Sequence, residues 1–185
     1  LDGDYKIDDE LTLFTNITGR KFWPKSNIGL SVHVPLTGET SASQSAKVSH
    51  TVCVNDTNLS NSETVQNYTE HQDDFTHEQC LVLTQGEEKI LLSGCAHNGI
   101  LNLLDKYKEL YISLPQVVIS GFHMMKKTGE YTPEEASIIT QTAEELSRFD
   151  IKFYTGHCTG LTAYDMMKPI MGEKLQQIST GATIK

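Results

Sequence analysis

Three histidines stand at matching places in three short segments: Ser93-Gly94-Cys95-Ala96-His97-Asn98-Gly99, Ser120-Gly121-Phe122-His123 and Thr155-Gly156-His157-Cys158-Thr159-Gly160. Each segment follows a run that reads as a β-strand. A glycine precedes each imidazole by one to three residues, where it lets the backbone turn tightly. In α/β sheets the edge beyond the carboxyl ends of the strands is where loops converge and ligands bind. Imidazole nitrogens gathered there are what a zinc or iron ion takes, at about 2.0–2.1 Å. His97, His123 and His157 are therefore the candidate metal ligands. A single histidine at a strand end is usually a loop residue bonded to backbone; three in register form a ligand set. Neither HExxH nor a CxxC pair occurs.

The elements that must position these groups follow from periodicity. Cys80–Thr84 and Lys89–Ser93, joined across Gln85-Gly86-Glu87, read as a β-hairpin. Ile100, Leu101, Leu103, Leu104 and Tyr107 fall at helical spacing, with Asn98 as N-cap. Gln116–Ser120 and Ile151–Thr155 read as strands. Between them Thr132-Pro133-Glu134-Glu135 opens a helix with a capping box, continued by Ala136, Ile139, Ala143, Leu146 and Phe149. A helix from Gly160 to Met167 should end before Pro169, because a residue preceding proline avoids the α region. Gln176–Ala182 is a final strand. In the first part of the chain only Leu11–Ile17 and, more weakly, Val48–Val54 alternate; the stretches 37–44 and 55–74 read as polar loops or a flap. The order is β-β-α-β-α-β-α-β: an α/β layered domain, residues 77–185, preceded by loosely structured strands and loops over 1–76, the whole forming one domain.

The 185 residues suit one domain. With 15 Lys+Arg against 24 Asp+Glu, the net charge of −9 excludes a nucleic-acid or anionic-membrane partner, since both want a basic face. No apolar run reaches the ~20 residues of a membrane span. The first residues form no signal peptide. Four cysteines (Cys53, Cys80, Cys95, Cys158) are too few and scattered for a disulfide scaffold and point to a reducing, cytoplasmic setting. Four N-x-[ST] sequons, at Asn16, Asn55, Asn58 and Asn67, fall by chance in stretches rich in Ser, Thr and Asn.

The segments SGCAHNGI (93–100), SGFHM (120–124) and TGHCTG (155–160) resemble the second half of the metallo-β-lactamase superfamily. The nearest branch contains proteins similar to the methanopterin-precursor synthase, with GCxHxGI, GGFH and GHCTG in this order and a His-Glu-x-x-Leu segment like His77-Glu78-Gln79-Cys80-Leu81. The resemblance covers residues 70–185 well and 1–70 loosely. It implies an αββα sandwich with a dinuclear metal site between two sheets, His97 on one metal and His157 on the other. His123 stands where the superfamily places a bridging Asp, as a ligand or a contact to substrate phosphate. The helix start at Cys158-Thr159-Gly160 would offer N–H groups and a hydroxyl to a phosphate. Cys95, His77 and Glu78 would support the ligands from behind.

The superfamily's HxHxDH motif is absent from the chain, and His33, His50 and His71 are isolated, solvated loop residues. The expectation is a fold incomplete in its N-terminal half. An intact member would hold two ions, zinc first and iron or manganese next, and use a metal-bound hydroxide on a small anionic substrate, a phosphorylated one among the candidates. This chain alone would be inactive and would bind metal weakly. The alternative is a non-catalytic binding or assembly module, with a homo-oligomer covering the exposed sheet.

Overall fold

The computed structural model describes residues 3–35 and 68–184, which fall into two compact units. One comprises residues 3–27 with 74–184 and the other residues 28–35 with 68–73. This division differs from a boundary after residue 76. The N-terminal residues belong with the C-terminal part because β2 (Leu11–Phe14) hydrogen-bonds antiparallel to β5 (Cys80–Gln85). The segment 48–54, with His50 and Cys53, lies outside the described residues, as do Asn55, Asn58 and Asn67.

In the larger unit, β1 (Tyr5–Lys6), β2, β5, β6 (Glu88–Ser93), β7 (Val117–Ile119), β8 (Lys152–Thr155) and β9 (Leu175–Gln177) form one sheet in that order. The first pairings are antiparallel, and β6 through β9 are parallel. The three parallel steps are crossed by α1 (Ile100–Leu110), α2 (Pro133–Ser147) and α3 (Leu161–Met171). All step in one direction, so right-handed crossovers put all three helices on one face, where α2 packs on α1 and α3. A row of buried residues runs beneath them through the register: Val82, Leu91, Val118, Phe153 and Leu175. Leu81, Leu83, Ile90, Leu92, Val117 and Ile119 point to the opposite face and are only half-buried.

Three elements differ from the sequence reading. β9 is shorter and earlier than Gln176–Ala182, because Leu175 is the residue that reaches the core. Helix α3 runs through Pro169 to Met171. Proline there loses one bond, to Asp165, and both residues are exposed, so water can serve the freed carbonyl while Met167 and Met171 stay buried. In the smaller unit, β3 (Ser31–Pro35) pairs antiparallel with β4 (Tyr68–Gln72), a segment whose polarity reads as loop. His33 and His71 are exposed residues of this strand pair rather than of loops.

The capping box of α2 forms as its sequence requires: Thr132 Oγ1 accepts from Glu135 N, and the Glu135 carboxylate accepts from Thr132 N at 2.8 Å. Lys126 and this cap hold the Glu135 carboxyl at about 2, below the usual range. Its contribution is therefore present above the unfolded value and lost as pH falls towards 2. Thr132→Ala should cost about 1 kcal/mol, lowering the melting temperature by about 2–4 °C in calorimetry. An unchanged melting temperature would remove the cap from the account.

Candidate metal centre

The loops that follow β6, β7 and β8 leave the sheet at the same height, because Leu92, Ile119 and Tyr154 are in register. They are then tied to each other. Gly121 N donates to Gly94 O (2.8 Å), Ser120 N to Tyr154 O (3.0 Å) and Met125 N to Cys158 O (2.8 Å). Of the glycines before the histidines, Gly121 and Gly156 serve close approach rather than turning. Gly94, Gly121 and Gly156 have no left-handed φ. A Cβ on Gly121 would stand 2.4 Å from Cys158 Sγ. The left-handed conformation falls instead on Ala96 (φ 53°), His123 (φ 47°) and His157 (φ 50°). Such strain costs about 1–3 kcal/mol per residue and concentrates where function demands it.

These loops bring five donor side chains together. The ligand atoms of Cys95, His123 and Cys158 all lie within 4.8 Å of one another. The His97 ring packs against His123 with centroids 3.9 Å apart, and His157 Nδ1 is 3.8 Å from Cys95 Sγ. His157 is exposed and stands at the rim. Both ring nitrogens of His123 are buried without a hydrogen-bond partner. Burying two such groups unpaired is costly, and a bound cation is what would satisfy one of them. The sequence reading places Cys95 behind the ligands and Cys158 at a phosphate contact; the structure groups both sulfurs with His123. The Cys158 thiol, and then the imidazoles of His123 and His97, hold the Cys95 thiol well below its usual range. Cys158 is pushed up by Cys95 and by burial.

The ring of His97 is fixed from behind by residues the sequence did not single out. Asn27, fully buried, donates from Nδ2 to His97 O (2.6 Å) and turns Oδ1 towards His97 Nδ1 (2.9 Å). An amide oxygen there requires the proton on Nδ1, leaving Nε2 with its lone pair free for a cation. Phe75 stacks on the same ring at 4.3 Å, and Ser26 Oγ donates to His123 O. Asn27 lies 70 residues from His97 at the end of a three-residue 3-10 turn (Lys25–Asn27), too short to carry a spacing pattern.

Glu78 stands behind the His97 loop. Its carboxylate accepts from His97 N (2.6 Å), Asn98 N (2.9 Å) and Asn98 Nδ2 (2.9 Å), pinning the loop that carries His97. Asn98 does not cap α1. Gly99 holds that position, and the buried Asn98 amide also donates to Phe75 O while its oxygen accepts from Arg20 Nη1. His77 is exposed, its ring 6.0 Å from Phe75 and outside the donor cluster.

Thr159, expected at a phosphate contact, has its hydroxyl engaged within the fold. The hydroxyl is buried, accepts from Phe122 N (2.9 Å) and bonds Thr155 Oγ1 (2.5 Å), so it braces the β7 and β8 loops. Gly160 takes φ 74° with its Cα against Met125, and its N–H points back towards His157 O (3.4 Å). Cys158 faces the donor cluster. A different feature offers contact to an anion. A shallow, open depression beside His123, enclosing only about 30 Å³, is lined by Pro24, Met124, Tyr131 and Ile138, with Lys25 and Lys126 in its wall. Both lysines are ion-paired, to Glu134 (3.1 Å) and Glu135 (2.9 Å).

No family model matches the chain. Over 115 residues it is 30% identical to the 7,8-dihydropterin-6-methyl-4-(beta-D-ribofuranosyl)-aminobenzene-5'-phosphate synthase of Methanocaldococcus jannaschii, covering 61% of this chain and 37% of that protein. Among solved structures, a metal-dependent hydrolase of the β-lactamase superfamily superposes with a TM-score of 0.59 at 20% identity, covering 100% of this chain and 57% of that one. The fold is thus metallo-β-lactamase-like, and both likenesses agree with the branch that the motifs resemble. The chain spans little more than a third of the synthase and somewhat over half of the hydrolase.

Replacing the anchor should be visible in stability. Glu78→Ala leaves three donors without their carboxylate and should cost about 3 kcal/mol, measured by urea unfolding. Asn27→Ala should lower zinc affinity about 10–100-fold in a competition titration with a chromogenic chelator. Wild-type affinity in that variant would show that the His97 ring needs no such support.

Proposed function

We infer that this chain is the cation-binding C-terminal portion of a metal-dependent, hydrolase-like protein acting on a small anionic substrate. The observation that carries this reading is the pair of buried nitrogens of His123 without a hydrogen-bond partner, beside a His97 ring whose Nδ1 faces the Asn27 amide oxygen. His97, His123 and His157, with Cys95 and Cys158, would hold the ion. Zinc suits a mixed nitrogen and sulfur donor set better than manganese, with iron between them. When bound, the ion would acidify water and polarise a carbonyl or phosphoryl oxygen. Asn27 and Glu78 would keep His97 oriented, and Lys25 and Lys126, beside His123, would face the substrate's negative charge. Without an HxHxDH segment the chain carries only part of the family's donor set, so we expect it to bind an ion and an anion without turning substrate over.

The hydrolase and the synthase support this reading through the fold and the ordered motifs. Among the described residues no helix is long and apolar enough to cross a membrane. Cys80, Cys95 and Cys158 are free thiols, which supports a reducing, cytoplasmic setting. The net charge of −9 supports a small substrate rather than a nucleic acid.

The half-exposed apolar face of the sheet favours a second reading, an assembly module in which a second copy of the chain covers that face. Light scattering separates the two, since the second reading needs a dimer without bound metal.

The direct test loads the chain with zinc and titrates it with inorganic phosphate by calorimetry. Phosphate should bind the zinc form and fail to bind the metal-free form, and Lys126→Ala should weaken binding by about threefold or more, as loss of one partly screened charge does. Elemental analysis should find zinc in the wild type and little in His97→Ala or His123→Ala. Equal phosphate binding with and without zinc, or zinc retained in both variants, would contradict the proposal.

A further inference from the structure

Two thiols in this cluster have chemistry that the imidazoles lack. Cys95 follows β6 and Cys158 follows β8, so they are far apart in sequence and are brought together by the sheet and the bonds between its loops. Their sulfurs nevertheless lie within 4.8 Å, and Cys158 Sγ is 3.5 Å from Cys95 O. The space between them is kept by Gly121, whose missing Cβ would collide with Cys158 Sγ. Cys95 is partly exposed and reachable from solvent, while Cys158 is buried behind it. Cys80, by contrast, is sealed in the core at 0% exposure, where burial pushes its thiol up and leaves it inert.

We propose that Cys95 and Cys158 form a redox gate on the cation site: as thiols they stand with His123 as sulfur ligands, and as a disulfide they withdraw both sulfurs and release the ion. The inference rests on the metal-binding reading above for its second half only; the cross-link stands or falls by itself. The reaction is a thiol–disulfide exchange with a small disulfide such as oxidised glutathione. Cys95 sulfur, as thiolate, attacks one sulfur of the oxidant, forming a mixed disulfide and expelling one glutathione thiolate. Cys158 sulfur, its proton passing to water, then attacks Cys95 Sγ and expels the second. Two protein thiols lose two electrons, and the oxidant gains them as two thiols. The exposed member attacks first and the buried member resolves, an order that follows from access. A bound cation occupies both sulfurs and slows the exchange, so the metal and the oxidant compete for the same pair.

The experiment treats the reduced chain with oxidised glutathione, with and without prior loading with Co²⁺, and maps alkylated peptides by mass spectrometry. The expected product joins the Cys95 and Cys158 peptides and is reversed by dithiothreitol. Co²⁺ bound to the reduced chain should show sulfur-to-cobalt absorption in the near ultraviolet. Oxidation should lower cobalt affinity about tenfold or more, as loss of ligands does. Cys95→Ser and Cys158→Ser should each abolish the cross-link and weaken the absorption. A cross-link through Cys53 or Cys80 instead, or unchanged cobalt affinity with the Cys95–Cys158 bond formed, would overturn the gate and leave the hydrolase-like reading intact. A correct cross-link in a chain whose reduced form takes up no cobalt would overturn both the gate and the metal reading.

Discussion

The parallel register of β6, β7 and β8 is the constraint on which the site depends. Leu92, Ile119 and Tyr154 stand level across the three strands, so the next residues of each strand enter the same small volume. The loops are then stitched by backbone bonds from Gly121 to Gly94 and from Met125 to Cys158. A shift of one residue in any strand would turn its side chains to the opposite face and scatter the donors. The buried row from Val82 to Leu175 under the helices makes such a shift costly, because it would bring half-buried residues into the core and expose buried ones. Packing that looks purely structural thus sets the geometry of the chemistry.

Behind that register lies an arrangement of acceptors. Glu78 holds the His97 loop by its backbone, Asn27 sets the ring's tautomer, and Phe75 covers its face. Each comes from a part of the chain before β6, and Asn102 fastens that part by bonding both Lys21 N (2.9 Å) and Lys21 O (3.0 Å). The N-terminal residues are therefore part of the site's support. Strain at Ala96, His123 and His157 is tolerated because these contacts over-determine the loops.

Much of this was legible in the sequence, for identifiable reasons. Strands and helices from residue 80 onward carry strong two- and 3.6-residue periods, and Thr132-Pro133-Glu134-Glu135 announces its helix by local chemistry alone. The three histidines were visible because each follows a strand. Other features were hidden because they depend on distance in space. Asn27 acts through two long-range bonds to His97 that leave no period. The buried hydroxyl of Thr159 reads as an exposed helix start until Phe122 N is found on it. Pro169 breaks a helix by rule, yet its exposed position removes most of the penalty. Cys95 and Cys158 lie 63 residues apart, and their common place shows only in space, where the two sulfurs lie within 4.8 Å of each other.

The claim at the centre is that imidazoles and thiols converge on one cation. X-ray absorption at the zinc edge of the reduced, zinc-loaded chain tests it most directly. The account predicts a mixed shell, with nitrogen at about 2.0–2.1 Å and sulfur at about 2.3 Å. A shell of oxygen and nitrogen alone, as for an ion on surface carboxylates, would contradict it.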